Sequence, residues 1–387
     1  MKEFDYRYFR AMVLEHLKSG KPLLEENGAF TPLIEKILNV PLEGEFSISK
    51  NKEERISSIC DDVCLNKLIH AKMDGMGDST LNGAFQSKIA EKIVEYYGLG
   101  NRPSEIKSLI LNEFGQVVSK EAIKKETDRF LPEIESWKQR PLETLYPIIW
   151  MDAIYCEVLD KSAKPDSCLI YNVLAIDSRG RRDLLGIYSS RFEDERLWLY
   201  ILSDLQNRGV KEILIACTDN MSDFPELISK AYDKSLVQMC IVRQVRESIK
   251  NVELKDLEEF MKDLRLVYQA VSKKQAEEAL KSFDLRWGKI YPAVVKSWTA
   301  HWNHLSPYLQ YPDTIRRLIY TNTVDHYQKG IKNPVVGRGF FVNDLALEKM
   351  VYLAYRNVKD KWAIPLPDWD AIFEQMVFIH SKMTIQG

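Results

Sequence analysis

The chain has 387 residues, a formal net charge of -2 and a hydrophobic share of 45%. That is enough chain for a sizeable core and two or three domains, with the composition of an ordinary globular protein. It excludes a globally basic nucleic-acid coat, though not a local basic surface, and it excludes a disulfide scaffold. The six cysteines are scattered, which fits a reducing cytosol and a cytoplasmic location.

The opening MKEFDYRYFRAMVLEHLKSGK is amphipathic and charged, unlike a signal peptide, and no apolar run reaches membrane-spanning length. Tyr8, Met12, Leu14 and Leu17, then Leu33, Ile34, Ile37 and Leu38, predict helix over residues 1 to about 40. Glycines at 44, 75, 77 and 83 punctuate residues 41–85, to which no structure is assigned. Cys60-x-x-x-Cys64 is half of a zinc pattern, and no matching pair of Cys or His follows it.

From Gln86 to Trp137 the pattern is helical. Ile89, Ile93, Tyr96 and Tyr97 share a face ending at Gly98. Pro103-Ser104 opens a second helix that ends at Gly115, and Ser119 is an N-cap for a third, through Ile123 and Thr127. Such a set resembles a helix-turn-helix unit whose third helix exposes Lys120, Lys124, Lys125 and Arg129 to DNA. A helical linker with a solvated basic face has the same periodicity, and the two readings stay open.

Strands are predicted at about 147–158, 168–177 and 182–189, the last two joined by the turn Asp177-Ser-Arg-Gly180. A helix carrying Leu197, Trp198, Ile201, Leu202 and Leu205 follows, then strand Glu212–Cys217, helix Pro225–Tyr232 and strand Val237–Val242. Three consecutive strands, then helix-strand-helix-strand, is the order of a ribonuclease-H-like α/β core, a fold-level analogy that needs a site to support it. In the stretch YPIIWMDAIY one charge, Asp152, interrupts an apolar strand, and Asp219 stands just past another. A lone carboxylate in a strand core is expensive unless compensated. A hydrogen-bonded Asp accounts for one; two together point to a shared cation site, because hard divalent metals take oxygen ligands.

Residues 244–316 read as an all-helical insertion whose Trp287, Trp298 and Trp302 are core or, at its edge, DNA contacts. Helices over Leu345 to about Val358 and from Trp369 close the chain. The predicted division is therefore 1–85, helical and irregular; 86–140, helix-turn-helix-like; 141–243, first part of the core; 244–316, insertion; 317–387, core completion.

The stretches RPLETLYPIIWMDAIY, IDSRGRRDLLGIY, LSDLQNRGVKEILIACTDNMSDFPELI, QMCIV, YPDTIRRLIYTN and KDKWAIPLPDW, in that order and spacing, resemble the bacterial mutator-type insertion-sequence transposases over roughly residues 82–380. The resemblance implies a ribonuclease-H-like enzyme with a DDE set of carboxylates. Carried over by position, these are Asp152, Asp219 and, where the family has Glu after Tyr-Thr-Thr-Asn, Asp325; a gapless alignment places His326 there instead. It also implies two Mg²⁺ ions, with Mn²⁺ as substitute, about 3.5–4 Å apart, clamping the attacking and leaving oxygens at phosphorus. The DNA partners implied are terminal inverted repeats and a target, bound by a homodimer or higher oligomer. Arg316, Arg317, Lys329, Lys332 and Arg338 flank the third acid and are candidates for holding phosphates. The chain departs from the family in Asp325 for Glu, in Arg243 for the His of a Cys-x-x-His signature that keeps Cys240, in Gln328 for Asn, and in Glu157-Val-Leu159 where an Arg is usual. These departures carry the alternative of a transposase-derived DNA-binding protein with weakened or lost catalysis. A third reading, a ribonuclease-H-like nuclease or resolvase, leaves the motifs beyond the acids unexplained.

Overall fold

The structure, a computed structural model, describes residues 79–159, 164–218, 224–319 and 326–386. The helix expected over the first 40 residues, Cys60, Cys64, Asp219 and Asp325 lie outside the described residues. The chain falls into two compact units, one up to Lys92 and the other from Ile93 on. Helix α1 (Ser79–Gly98) begins in the first and runs through the boundary expected at residue 85.

In the second unit, α2 (Pro103–Phe114) starts at a proline and ends at Gly115, which takes φ +66°. Helix α3 (Lys120–Asp128) is capped as expected, Ser119 Oγ accepting from Ala122 N at 3.0 Å. A further helix, α4 (Leu131–Lys138), went unforeseen because Pro132 reads as a breaker; it sits in the first turn, where its missing N–H costs nothing.

The sheet comes next. Strands β1 (Leu145–Leu159), β2 (Pro165–Ile176) and β3 (Arg182–Ser190) form an antiparallel meander. Its second turn is tied by Asp177, whose Oδ1 accepts from Arg179 N and Arg181 N, and by Gly180 at φ +77°. Helix α5 (Glu195–Asn207), β4 (Glu212–Thr218), α6 (Phe224–Ala231) and β5 (Leu236–Met239) follow, with β4 parallel to β1 and β5 parallel to β4. The strand order is β3-β2-β1-β4-β5. The last strand is shorter than expected. Cys240 N donates back to Thr218 O and Cys240 O accepts from Gln244 N, so Ile241 and Val242 open helix α7 (Ile241–Lys250) rather than extend the strand.

The two faces of the sheet are covered differently. Ile149, Met151 and Ala153 of β1 join Tyr171, Val173 and Ala175 of β2 in one core with Trp198, Ile201 and Leu202 of α5 and Phe224 and Ile228 of α6. Trp198 stacks on Phe224 with ring centroids 4.8 Å apart. The opposite face carries Ile148, Trp150, Asp152 and Ile154, so β1 is apolar on both sides, as a central strand flanked on both faces must be.

Helices α8 (Leu257–Tyr268), α9 (Lys273–Trp287), α10 (Pro292–Ala300) and α11 (Trp302–Leu305), a 3₁₀ turn (Pro307–Gln310) and α12 (Asp313–Arg317) make the helical insertion. Two of its tryptophans serve packing, and Trp302 is half-buried. Trp298 is fully buried with Nε1 donating to Ser248 Oγ at 2.9 Å, and Trp287 packs against Phe260 and bonds Asp263. A π-helical turn (Gln328–Lys332), α13 (Asn333–Arg338) and the two-residue β6 (Phe340–Phe341), parallel to β1, lead into α14 (Asp344–Trp362) and α15 (Trp369–Gln386). Neither the π turn nor β6 was foreseen.

Helix α14 binds the preceding helices through polar contacts that periodicity does not reveal. Lys349, with its side chain 8% exposed, reaches Asp128 and Thr127. Lys138 pairs with Glu348 at 2.9 Å, Tyr352 donates to Glu133 at 2.7 Å, and Trp137 packs edge-on against Tyr352. Burial pushes the Asp128 carboxyl up, but hydrogen bonds from Lys349 and Lys124 more than reverse this and leave it below its ordinary value.

Two outcomes follow for this contact. Asp128→Ala strands a buried ammonium and lowers stability by about 3 kcal/mol, the low end for a broken buried pair because Asp128 is itself partly exposed. Lys349→Met, which removes the charge and keeps the volume, costs less in the same urea or thermal melts. Because the folded pKa of Asp128 is depressed, its contribution is present above the ordinary carboxylate range. It is lost as the pH falls through the folded value, a loss that an Asp128→Asn/Lys349→Met double variant does not show.

Candidate active site

Asp152 sits one residue past the last described β1–β4 pair. One edge of β1 is paired with β2 throughout, Asp152 lying opposite Asn172. On the other edge β4 pairs only as far as Met151, opposite Thr218, and β6 begins only at Glu157, opposite Phe340. Between them, among the described residues, 152–156 have no strand partner on that edge. Asp152 stands at the start of this gap with its side chain 28% exposed, and Thr218 is the last described residue before Asp219.

The chain on either side of Asp325 is anchored to the face that carries Asp152. Trp150 Nε1 donates to Ile319 O at 2.8 Å. Asn172 is fully buried, and its Nδ2 donates to Tyr327 Oη at 2.9 Å. Among the described residues Asn172 Oδ1 has no hydrogen-bond partner. The π turn then brings Lys332 Nζ to 3.1 Å from Asp152 Oδ2. A π turn inside a helix shifts the residues beyond it around the axis, and such turns concentrate at functional sites. Among the described residues no three His, Cys, Asp or Glu side chains converge on a point that could hold a metal. Asp152 is the one described member of the expected set.

The remaining candidates are placed as follows. Lys120, Lys124, Lys125 and Arg129 are all exposed on α3, but Lys124 pairs with Asp128 at 3.0 Å and Arg129 with Glu126 at 3.0 Å. Arg316 is engaged elsewhere. It donates to the carbonyls of Leu309, Tyr311, Ala270 and Val271 and so ties α12 to the end of α8. Arg317 and Lys329 are exposed. Arg338 lies over the Tyr97 ring at 4.2 Å and donates to Asn101 O. His326 is exposed, and Cys240 is half-buried at the turn into α7.

Arg243, one turn along α7, hydrogen-bonds the Tyr155 hydroxyl, which itself donates to Glu193 at 2.9 Å. Tyr171 donates to the same carboxylate. This cluster was missed, since Glu193 lies in a charged stretch that reads as plain surface. Tyr155 and Glu193 line a cleft of about 510 Å³ together with Cys156, Cys168 and Arg191. Arg191 is neutralised there by Asp344 at 2.8 Å and Asp166 at 3.2 Å. Burial pushes the Cys156 thiol up to about 12, so it is not a nucleophile at neutral pH.

The family model described as Transposase, Mutator family, matches residues 83–364. The transposase for insertion sequence element ISRM3 of Rhizobium meliloti (strain 1021) is 30% identical over 351 residues, covering 87% of this chain and 88% of that protein. A probable transposase for an insertion sequence element of Corynebacterium diphtheriae is 30% identical over 280 residues, 72% of this chain and 81% of that one. Among solved structures, the Drosophila P element transposase strand transfer complex matches at a TM-score of 0.36 and 10% identity, over 80% of this chain and 98% of that chain, a likeness too slight to bear on the site. No helix among the described residues is long and apolar enough to cross a membrane. With the family model spanning most of the chain and relatives of this similarity over most of their own length, the chain belongs to the Mutator family of transposases.

Proposed function

We propose that the chain cuts and joins DNA at the terminal inverted repeats of an insertion sequence, with Asp152, Asp219 and Asp325 as the metal-holding carboxylates of a ribonuclease-H-like core. The observation that carries this is the position of Asp152 just past the last described β1–β4 pair, with the Lys332 ammonium on its carboxylate. The strand order, three antiparallel strands with β4 and β5 parallel to β1, supports the core assignment. Thr218, directly before Asp219, lies beside Met151, and Ile319 and Tyr327, on either side of Asp325, are held at Trp150 and Asn172. The described donor fits a hard cation: Asp152 offers oxygen, and the Lys332 ammonium stands in for positive charge there. Bound Mg²⁺ would supply Lewis-acid stabilisation of the attacking and leaving oxygens.

The residues of the chain do the rest. A mid-strand Asp152 holds its carboxylate rigidly. A water attacks the phosphodiester at the element's end and frees a 3′-hydroxyl, which then attacks a second phosphodiester and joins the strands. Lys120 and Lys125 of α3, with Arg317 and Lys329 on either side of Asp325 in the sequence, are exposed cations that could meet phosphates, which position DNA without reading it. Two ends must be brought together, so the working form on DNA is at least a dimer. Asp325 for Glu and Arg243 for His favour a second reading, a DNA-binding protein that has lost cleavage. Arg243 is taken up by Tyr155 rather than left over, so that substitution has been accommodated by its surroundings.

Purified protein with labelled terminal-repeat DNA from its own element and Mg²⁺ or Mn²⁺ is expected to nick at the repeat end, and Asp152→Ala to abolish the nicking. Repeat binding without nicking in either metal would establish the second reading. In the same assay Asp325→Glu, which restores the missing methylene, raises the rate by up to about a hundredfold, the scale of a ~1 Å misplacement. For DNA affinity against salt, Arg317→Ala and Lys329→Ala each flatten the logarithmic slope by about 1. Arg316→Ala leaves that slope unchanged and lowers the melting temperature, since its donors serve backbone carbonyls.

A further inference from the structure

The Lys332–Asp152 contact is built rather than incidental. Tyr327 fixes the start of the π turn on Asn172, and Ile331 and Val335 are fully buried. At Gly330 a Cβ would come within 2.9 Å of Val358 on α14, so the turn lies directly against that helix. Lys332 therefore extends from backbone held on several sides, and its ammonium reaches Asp152 Oδ2 at 3.1 Å with the two side chains 21% and 28% exposed. At that exposure the pair is partly shielded from water, and its mutual attraction exceeds that of a fully solvated pair.

An ammonium on Asp152 Oδ2 competes with a divalent cation for that oxygen, because it occupies one of its lone-pair directions and sets a like charge beside the metal. We infer that Lys332 is a charge latch on Asp152: its ammonium holds the metal-free carboxylate in place and has to leave that oxygen before a divalent cation can take it. This rests on the three-carboxylate reading above. A displaced Lys332, on its four-carbon stem, can take a DNA phosphate as replacement partner. Metal and DNA then favour each other's binding, since each stabilises the arrangement in which the latch is open, and that coupling is reciprocal. The latch also spares the metal-free protein an uncompensated carboxylate in the middle of a buried strand.

The test is Mn²⁺ binding by the full chain without DNA, read from the electron paramagnetic resonance signal of free Mn²⁺ and independent of any cleavage. Lys332→Met and Lys332→Gln are expected to bind Mn²⁺ about tenfold more tightly than the wild type, the scale on which an adjacent opposite charge stabilises a carboxylate. Lys332→Arg, which keeps the cation, is expected to bind as the wild type does. Asp152→Asn, combined with Lys332→Met, should erase the gain. Mn²⁺ affinity that is unchanged or weaker in Lys332→Met and Lys332→Gln, while the wild type binds and Asp152→Asn does not, would overturn the latch and leave the carboxylate reading standing. Failure of the wild type and every Lys332 variant to bind Mn²⁺ would overturn the carboxylate reading itself.

Discussion

A strand buried on both faces has no natural place for a charge, and β1 carries one. Ile148, Ile149, Trp150, Met151, Ala153 and Ile154 are all buried, and Asp152 sits among them. The surroundings are arranged around that single conflict. Among the described residues the parallel neighbour β4 pairs with β1 only as far as Thr218, and pairing on that edge is next seen with β6. A lysine from a distant part of the chain reaches the carboxylate. The ammonium compensates a carboxylate that the apolar strand around it would otherwise leave without a partner.

The second organising element is α14. It closes the Asp152-bearing face of the sheet and also receives the helices over 93–138, through Lys349 with Asp128, Glu348 with Lys138, and Tyr352 with Glu133. Arg140 adds a parallel tie, lying over the Trp137 ring at 4.7 Å and pairing with Asp183 at 2.9 Å. These contacts are polar but largely shielded, which makes them directional. Apolar burial alone would let α2, α3 and α4 settle in several orientations, whereas charge pairs in fixed places favour one. 

Much of this was legible in the chain itself. The run of strands and helices from Leu145 to Met239 has the alternation and turn residues that a mixed sheet requires, and Ser119 announces its cap. What escaped has physical reasons. Helix α4 opens at a proline that punctuates more helices than it starts. Strand β6 has two residues, too few for any period to show. The π turn depends on Tyr327 and Ile331 packing against distant elements, which no local pattern encodes. Arg316 and Lys332 look alike in sequence, two cations near a motif. Only the fold reveals that one is spent on backbone carbonyls and the other on Asp152. Asp152 stood out in the sequence as the one charge in an apolar strand and Lys332 as a cation flanking the third acid, while their pairing came from geometry alone.

Helix α3 and Asp152 belong to one compact unit, within which Lys349 of α14 holds α3 through Asp128. On the proposed function, a duplex touched by α3 and cut at Asp152 would span a length set by the protein. The spacing between the sequence that is gripped and the phosphate that is broken becomes a property of the fold, like the gap between the jaws of a calliper. Adding a few base pairs inside that interval would rotate the scissile phosphate around the duplex as well as displace it. The element's ends would then be under selection for their length and helical phase as much as for their bases.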